Sequence, residues 1–312
     1  MSGAKVVAAN TVPLHAIIDG KRGGPAVLLL TGLGQQAIDW PDNFVASLVE
    51  QGCHVVRPDN RDAGLSPLCG PAEIADLTAA DFPLDAAVTP APIYRLQDMA
   101  GDVLALMDRL DIAAAHVVGF SMGGMIAQLL AATAPRRVLS LTSLMSSGGQ
   151  PGVESRPEAW HAMARSICAV ADPRERLRQY IVDAQIYTGP AYPHEPDMLR
   201  WHAEAILERG YRPAGIWRQA LAVRHAGDRR DLLRGISVPT LVVHGSEDNC
   251  IALHQAEEGH RLIAGSRFLL LEGAGHDLHP QLIPLILPAL TEVMKLKTPD
   301  MAAAMSGVRV TS

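Results

Sequence analysis

Two hydrophobic patterns alternate along the chain. Continuous apolar runs are typical of strands buried on both faces of a parallel sheet, and apolar residues spaced three or four apart are typical of amphipathic helices. The predicted strands are Lys5–Ala9 and Leu14–Asp19 (a hairpin), Ala26–Leu30, His54–Arg57, His116–Gly119, Val138–Met145, Thr240–His244 and Arg267–Leu271. The predicted helices are Pro41–Gln51, Tyr94–Leu110, Gly123–Ala134, Leu253–Ile263 and a proline-interrupted helix Gln281–Leu296. This alternation predicts an α/β fold with a mostly parallel, doubly wound sheet.

Two segments break the alternation. Pro67–Pro92 is rich in proline and small residues, which predicts a long loop. Residues 147–235, after the sixth predicted strand, are helical in character and hold three of the four tryptophans and four of the five tyrosines. This skew predicts a helical cap whose aromatic rings face a pocket, although a cap with its own small aromatic core explains it equally well. The predicted division is a core of residues 1–146 and 236–297, a cap of residues 147–235 and a flexible tail of residues 298–312.

Composition narrows the class of protein. The chain has 312 residues, 48% of them apolar, and a net charge of −6 with no basic block, which argues against a nucleic-acid partner. No secretory signal and no apolar run of about 18 residues is visible, so we expect a cytoplasmic protein with no membrane span. The four cysteines are scattered, which predicts free thiols, and no metal-binding or cofactor motif stands out, so no cofactor is expected.

The sequence Gly119-Phe120-Ser121-Met122-Gly123 lies between a predicted strand and a predicted helix. G-x-S-x-G in that setting is the signature of a nucleophile elbow, a tight turn that holds the serine in a strained conformation and exposes its hydroxyl. The flanking glycines fit because a Cβ there would clash with the neighbouring strand and helix. Ser121 is therefore the predicted nucleophile, although the motif by itself also describes an ordinary glycine-rich turn.

A serine nucleophile needs a base and a third group that orients the base. In this topology the order along the chain is serine, acid, histidine, each at the carboxyl end of a strand. Asp248 follows the strand Thr240–His244, and His276 follows Arg267–Leu271, so both meet Ser121 at one edge of the sheet. Two competitors remain beside this pair. They are Glu247 for the acid and His279 for the base, although Pro280 after His279 suggests only a helix start.

Attack by the serine on a carbonyl carbon creates a negatively charged oxygen, the oxyanion of a tetrahedral intermediate. This oxyanion needs two hydrogen-bond donors. We expect the backbone N–H of Met122, at the positive end of the elbow helix, and that of Leu33, in the turn after Ala26–Leu30. The same turn mimics the G-x-G-x-x-A dinucleotide fingerprint over residues 32–37. It does not open a helix directly, and Asp59 comes somewhat late for the acid that fingerprint requires, so a nucleotide site is disfavoured.

Together, these motifs resemble the α/β-hydrolase superfamily over essentially the whole chain. Three further blocks, residues 39–44, 57–66 and 121–128, are similar to bacterial carboxylesterases of the aclacinomycin-methylesterase type. One departure is Thr31-Gly32, where many relatives carry His-Gly; a backbone donor does not need that histidine. Ser121 at the elbow, instead of an aspartate, argues against dehalogenase or epoxide-hydrolase chemistry.

The resemblance and the triad predict a cofactor-free serine carboxylesterase for small to medium, partly hydrophobic esters. The same triad also serves lactone opening, perhydrolysis, C–C bond cleavage and acyl transfer, and a non-catalytic small-molecule binder is the alternative from another class. The predicted partner is a small-molecule ester. The sequence leaves the natural substrate, its stereochemistry and the oligomeric state open, a homo-oligomer included.

Overall fold

A computed structural model describes residues 11–74, 77–82, 90–168 and 170–295 of the chain. Its sheet has seven strands in the spatial order β1-β3-β2-β4-β5-β6-β7. The strands are β1 (Ala16–Asp19), β2 (Ala26–Leu30), β3 (His54–Pro58), β4 (Ala115–Phe120), β5 (Val138–Leu144), β6 (Thr240–Gly245) and β7 (Arg267–Leu271). Only β1 is antiparallel within this described sheet, pairing with β3, so the prediction of a mostly parallel sheet is confirmed.

Helices cover both faces of the sheet. Among the described residues, five of them connect or follow strands: α1 (Asp42–Glu50), α2 (Leu96–Arg109), α3 (Met122–Thr133), α9 (Leu253–Leu262) and α10 (Ile283–Lys295). Five more lie between β5 and β6: α4 (Pro157–Ser166), α5 (Pro173–Tyr187), α6 (Pro196–Gly210), α7 (Pro213–Arg224) and α8 (Arg230–Arg234). No helix in the described ranges is both long enough and apolar enough to cross a membrane.

Strand β2 shows how the apolar runs build two cores. All five of its residues are buried, because successive side chains point to opposite faces of the sheet. Leu28 and Leu30 pack into the cluster that contains the apolar faces of α2 and α3. Val27 and Leu29 pack into the second cluster, with α1 and α10. The central parallel strands are thus buried between two helix layers, and their carboxyl ends share one edge.

Most predicted elements are confirmed to within one or two residues, and β2 and β7 match at both ends. The last predicted helix is divided, because a short 3₁₀ turn over Pro280–Leu282 precedes α10, and Pro288 lies inside that helix. The described part of the predicted loop Pro67–Pro92, residues 67–74, 77–82 and 90–92, includes a 3₁₀ turn over Ala79–Asp81. The predicted strand Lys5–Ala9 and tail 298–312 lie outside the described residues.

Candidate active site

Ser121 stands on a sharp turn between β4 and α3. Its backbone has φ 54° and ψ −119°, a conformation that non-glycine residues rarely adopt and that stores strain. A Cβ on Gly119 would lie 2.2 Å from the carbonyl oxygen of Gly123, and one on Gly123 would lie 2.1 Å from that of Leu30. The elbow therefore closes only because both flanking residues lack side chains, as the motif predicts.

The structure brings His276 to the serine and to Asp248. The His276 Nε2 atom lies 2.9 Å from Ser121 Oγ, and its Nδ1 atom lies 2.8 Å from Asp248 Oδ2. Asp248 follows β6 in the turn, and His276 lies in the loop after β7. Three residues separated by up to 155 positions in the chain thus form one hydrogen-bonded line at the carboxyl edge of the sheet.

The two competing residues lie elsewhere. Glu247 points outward, with its side chain 43% exposed and an ion pair to Arg156 on the surface. His279 precedes the 3₁₀ turn that begins at Pro280, and its Nδ1 atom accepts a hydrogen bond from the Gln281 N–H. The helix-start role suggested by Pro280 is therefore the one that His279 has.

The Asp248 side chain is fully buried but well supplied with donors. Its Oδ1 atom accepts the backbone N–H groups of Cys250 and Ile251, each at 2.8 Å. Burial raises the pKa of Asp248, but the charge and hydrogen bond of His276, with contributions from His244 and Ile251, outweigh burial and lower the pKa overall. The arrangement favours an ionised carboxylate that can stabilise an imidazolium.

The two predicted oxyanion donors both line the cavity that contains Ser121. Met122 is the first residue of α3, where backbone N–H groups have no acceptor within the helix. The N–H groups on either side of Leu33 are occupied, because Gly32 donates to Gln35 Oε1 at 2.8 Å and Gly34 donates to Gln219 Oε1 at 2.7 Å. Among the described residues, the N–H groups of Leu33 and Met122 have no acceptor, so both are available to a ligand.

Two polar side chains that the sequence analysis missed fix this turn. Gln219 of α7 is fully buried, and besides holding Gly34 it donates to the carbonyl oxygen of Arg61 at 2.7 Å. Asn60 donates to the carbonyl oxygen of Thr31 at 3.0 Å, at the start of the same turn. No spacing in the sequence marks either residue, since Gly34 and Gln219 are 185 positions apart.

Two connected chambers meet at Ser121 and His276. The larger has a volume of about 800 Å³ and lies between the carboxyl edge of the sheet and helices α5 and α6. The smaller, of about 80 Å³, lies beside Met122 and Met125. Trp201, Tyr180, Tyr187 and Tyr211 line the larger chamber and Trp160 lines the smaller one, which confirms that aromatic rings of the inserted helices face a pocket.

Some of these rings also pack on one another. Tyr180 and Tyr211 meet edge to face with ring centroids 6.0 Å apart, and Trp160 meets Phe82 in the same way at 4.8 Å. The aromatic residues therefore form a small core of their own as well as a chamber wall. In the described ranges no three His, Cys, Asp or Glu side chains are grouped so that they could hold a metal ion, and all four cysteines are free thiols.

The family model for the alpha/beta hydrolase fold matches residues 25–281, a range that holds the elbow, Asp248 and His276. Because this match spans most of the chain, the protein belongs to the α/β-hydrolase family. This confirms the resemblance that the motifs carry and the fold class predicted from the alternating pattern.

Two relatives show which kinds of α/β hydrolase this chain is similar to in sequence. Rhodomycin D methylesterase DnrP of Streptomyces peucetius is 29% identical over 282 residues, which cover 82% of this chain and 87% of that protein. A pimeloyl-[acyl-carrier protein] methyl ester esterase of Neisseria meningitidis is 30% identical over 204 residues, 63% of this chain and 76% of that protein. The former agrees with the narrower resemblance to bacterial methylesterases.

Two solved structures have a fold similar to that of this chain. An esterase from Exiguobacterium antarcticum superimposes with a TM-score of 0.69 at 22% identity and covers 93% of this chain and 98% of its own. An enol-lactonase from Burkholderia xenovorans gives 0.66 at 24% identity, covering 90% and 94%. At this level of identity the likeness concerns the fold alone.

Proposed function

We propose that the protein is a serine carboxylesterase in which Ser121, His276 and Asp248 form the catalytic triad. The observation that carries this proposal is the hydrogen-bonded line from Ser121 Oγ through His276 to Asp248, at 2.9 and 2.8 Å, at the junction of two chambers. The first contact is within the reach that proton transfer requires, and the second is short enough for Asp248 to orient the ring. The methylesterases among its relatives support ester bonds as the target.

In the first half of the reaction, His276 Nε2 takes the Ser121 proton as the serine oxygen bonds to the ester carbonyl carbon. The N–H groups of Leu33 and Met122 stabilise the resulting oxyanion, and the loss of one such donor costs about 3 kcal/mol of barrier. Asp248 holds the ring through Nδ1 and stabilises the imidazolium. Collapse of the intermediate breaks the bond to the alcohol oxygen, which receives the proton from His276.

In the second half, water replaces the alcohol. His276 takes a proton from the water molecule, whose oxygen attacks the acyl-enzyme carbonyl carbon. The same two N–H groups stabilise the second oxyanion. The bond to Ser121 Oγ then breaks, Oγ regains its proton from His276, and the free acid leaves. Each half needs only groups that the chain itself supplies.

The unequal volumes of the two chambers support a preference for esters that carry a small group on one side of the ester bond and a bulky group on the other. A space of about 80 Å³ holds only a few heavy atoms, whereas about 800 Å³ holds a bulky, partly hydrophobic group. Methyl and ethyl esters of large acids fit this division, and the names of the relatives point to methyl esters. Helices α4 to α8, within residues 147–235, act as the cap that closes the larger chamber over a core of residues 1–146 and 236–297.

The experiment that tests the proposal compares Ser121→Ala with wild type on methyl, ethyl and butyl esters of one bulky acid, and on a lactone and an amide. We expect wild type to hydrolyse the methyl ester fastest and Ser121→Ala to lose activity by a factor of about 10³ or more. The matched control is Ser237→Ala, because Ser237 is exposed ahead of β6 at the opposite edge of the sheet.

Labelling with a fluorophosphonate gives an independent readout, because a non-catalytic binder does not react at Ser121. Ester hydrolysis by Ser121→Ala at the wild-type rate would contradict the mechanism. A wild-type preference for the lactone over every ester would instead keep the triad and replace the substrate class.

A further inference from the structure

His244 is a buried histidine beside the acid of the proposed triad. It lies at the carboxyl end of β6, four residues before Asp248, and its side chain is completely buried. Its Nε2 atom is 2.9 Å from the carbonyl oxygen of Ile251 and 3.4 Å from Asp248 Oδ2. His244 is not among the residues that line the two described chambers.

The surroundings of the ring define its protonation state. A carbonyl oxygen only accepts hydrogen bonds, so the hydrogen lies on Nε2 of His244. In the described part of the chain, His244 Nδ1 is buried without a hydrogen-bond partner, which fits a bare lone pair better than a second N–H. Burial lowers the pKa of His244 further than the charge of Asp248 raises it, which also favours the neutral ring. The Nε2–H of His244 therefore donates to the Ile251 carbonyl, and the same nitrogen lies 3.4 Å from the Asp248 carboxylate, close enough to stabilise its charge.

His244 also fixes the turn that carries the acid. The Ile251 carbonyl that it binds belongs to the same residue whose N–H donates to Asp248 Oδ1 at 2.8 Å. Asp248 Oδ2 therefore faces both the His276 Nδ1 atom, at 2.8 Å, and the His244 Nε2 atom, at 3.4 Å. Removing His244 would free the turn from its contact with the Ile251 carbonyl and leave His276 as the histidine that faces Oδ2 in the described structure.

We propose that His244 is a positioning residue for the reaction, which aims the Asp248 carboxylate at His276 and shares its negative charge. The inference rests on the proposed function, because it assigns His244 a role through the acid of that triad. It predicts an effect on turnover and not on substrate binding.

The expected pH effect has a definite sign. Without the His244 N–H, the charge of Asp248 is less shared and holds a proton on His276 more strongly, so more of the base is protonated at a given pH. The acid limb of the kcat/KM profile therefore moves to higher pH. The other titratable groups that act on His244 are His276 and Glu257 of α9, the Cys250 thiol lies near Asp248, and all three are kept in every variant below.

The first experiment measures kcat, KM and the pH profile of His244→Leu on a methyl ester. We expect kcat to fall about tenfold, KM to stay unchanged and the acid limb to move to higher pH. The matched control is His116→Leu, which also removes a buried histidine from the sheet. His116 lies on β4 and hydrogen-bonds Ser140 Oγ at 2.8 Å, away from the triad, so its profile should match wild type.

A second pair of variants keeps the inference testable where His244→Leu does not fold. Glutamine places an N–H near the position of Nε2, and asparagine places one near Nδ1. We expect His244→Gln to restore most of the turnover and the wild-type profile, and His244→Asn to restore neither. Equal kinetics for the two amides would overturn the inference, as would a wild-type acid limb in His244→Leu or a loss of kcat shared equally by His116→Leu.

These outcomes are separable from failure of the proposed function. Ester hydrolysis that survives in Ser121→Ala refutes the triad itself, and the inference with it. An inactive Ser121→Ala together with an unaltered pH profile in folded His244→Leu or His244→Asn refutes only the role of His244. Fluorophosphonate labelling at Ser121 adds a substrate-independent rate, which should fall in His244→Leu and remain at the wild-type value in His116→Leu.

Discussion

At the scale of single residues, the elbow depends on the two flanking glycines having no Cβ atom. Ser121 keeps a backbone conformation with φ 54° because β4 precedes it and α3 follows it directly, and both pack tightly where Gly119 and Gly123 lack side chains. Its carbonyl oxygen accepts the Ser146 hydroxyl at 2.8 Å and the Gly124 N–H at 2.9 Å, so hydrogen bonds offset part of the strain. The backbone of the elbow is thus held in place, and the Ser121 hydroxyl is presented to His276 at the chamber wall.

Gly123→Ala should therefore unfold or severely destabilise the protein. The new Cβ would lie 2.1 Å from the Leu30 carbonyl oxygen, and backbone atoms of a central strand cannot move aside. We expect a loss of about 3 kcal/mol or more of unfolding free energy, measured by denaturant titration. Gly235→Ala is the control, because its Cβ would lie 3.4 Å from the nearest atom, an ordinary contact. A Gly123→Ala protein as stable as Gly235→Ala would contradict this account.

At the scale of secondary-structure elements, α6 ties the inserted helices to the sheet edge. His202 Nε2 on α6 lies 2.8 Å from Asp39 Oδ1, which follows β2. Arg209, near the end of α6, donates to Asp59 Oδ1 at 3.0 Å and to Gln36 Oε1 at 2.9 Å. These contacts hold α6, which forms one wall of the larger chamber. The shape of that chamber therefore depends on the position of α6.

The His202–Asp39 contact makes stability depend on pH. Burial lowers the pKa of His202, but the hydrogen bond and charge of Asp39, with the charges of Asp277 and Asp42, outweigh burial and raise the pKa overall. A pKa raised on folding gives a stabilisation that is complete below the unfolded value of about 6.5 and is lost as pH rises through the folded value.

His202→Gln should remove this dependence while keeping a polar side chain at the position. We expect wild type to exceed the variant in unfolding free energy at pH 5.5 (about one unit below the unfolded pKa) by more than at pH 9. The measurement is denaturant unfolding at both values. His161→Gln, an exposed histidine on α4, serves as the control and should follow wild type at each pH. If the difference in unfolding free energy between wild type and His202→Gln were larger at pH 9 than at pH 5.5, the predicted direction of the pH dependence would be wrong.

At the scale of the whole molecule, buried ion pairs join distant parts of the chain. Arg218 of α7 makes a two-pronged contact with Asp62, after β3, at 2.9 and 2.6 Å, and both side chains are almost wholly buried. Arg61 makes a similar contact with Asp102 of α2, at 2.7 Å for each prong. The adjacent residues Arg61 and Asp62 thus bind a helix of the sheet layer on one side and an inserted helix on the other.

Arg218→Met should destabilise the protein strongly, because it leaves the Asp62 carboxylate buried without its cation. We expect a loss of about 3–5 kcal/mol in unfolding free energy, and a recovery of part of it in the double variant Asp62→Asn/Arg218→Met. Denaturant unfolding measures both. Arg230→Met is the control, since its pair with Asp228 lies on the surface and should change stability little. A single variant as stable as this control would show that the buried pair is dispensable.

The sequence by itself determined the elements and the chain order of the site. The buried strand β2, the amphipathic helix α2 and the elbow at Ser121 follow from local properties, which are the side-chain period, turn chemistry and steric freedom of glycine. Asp248 and His276 could be nominated because parallel strands deliver their carboxyl-end turns to a common edge, and the glycines before His276 and Pro280 after His279 favoured His276. These rules act within a few residues or through the topology that the pattern implies.

Only the tertiary structure decided how that edge is completed. Gln219 reaches Gly34 across 185 positions, and His244 approaches Asp248 only because the turn after β6 folds back on itself. The two chamber volumes and the Arg218–Asp62 pair likewise depend on how α7 and its neighbours pack. Such contacts join segments far apart in the chain, and their energy depends on burial and on fit. Burial and fit are defined only once the chain has folded, so no local spacing of residues could predict these contacts.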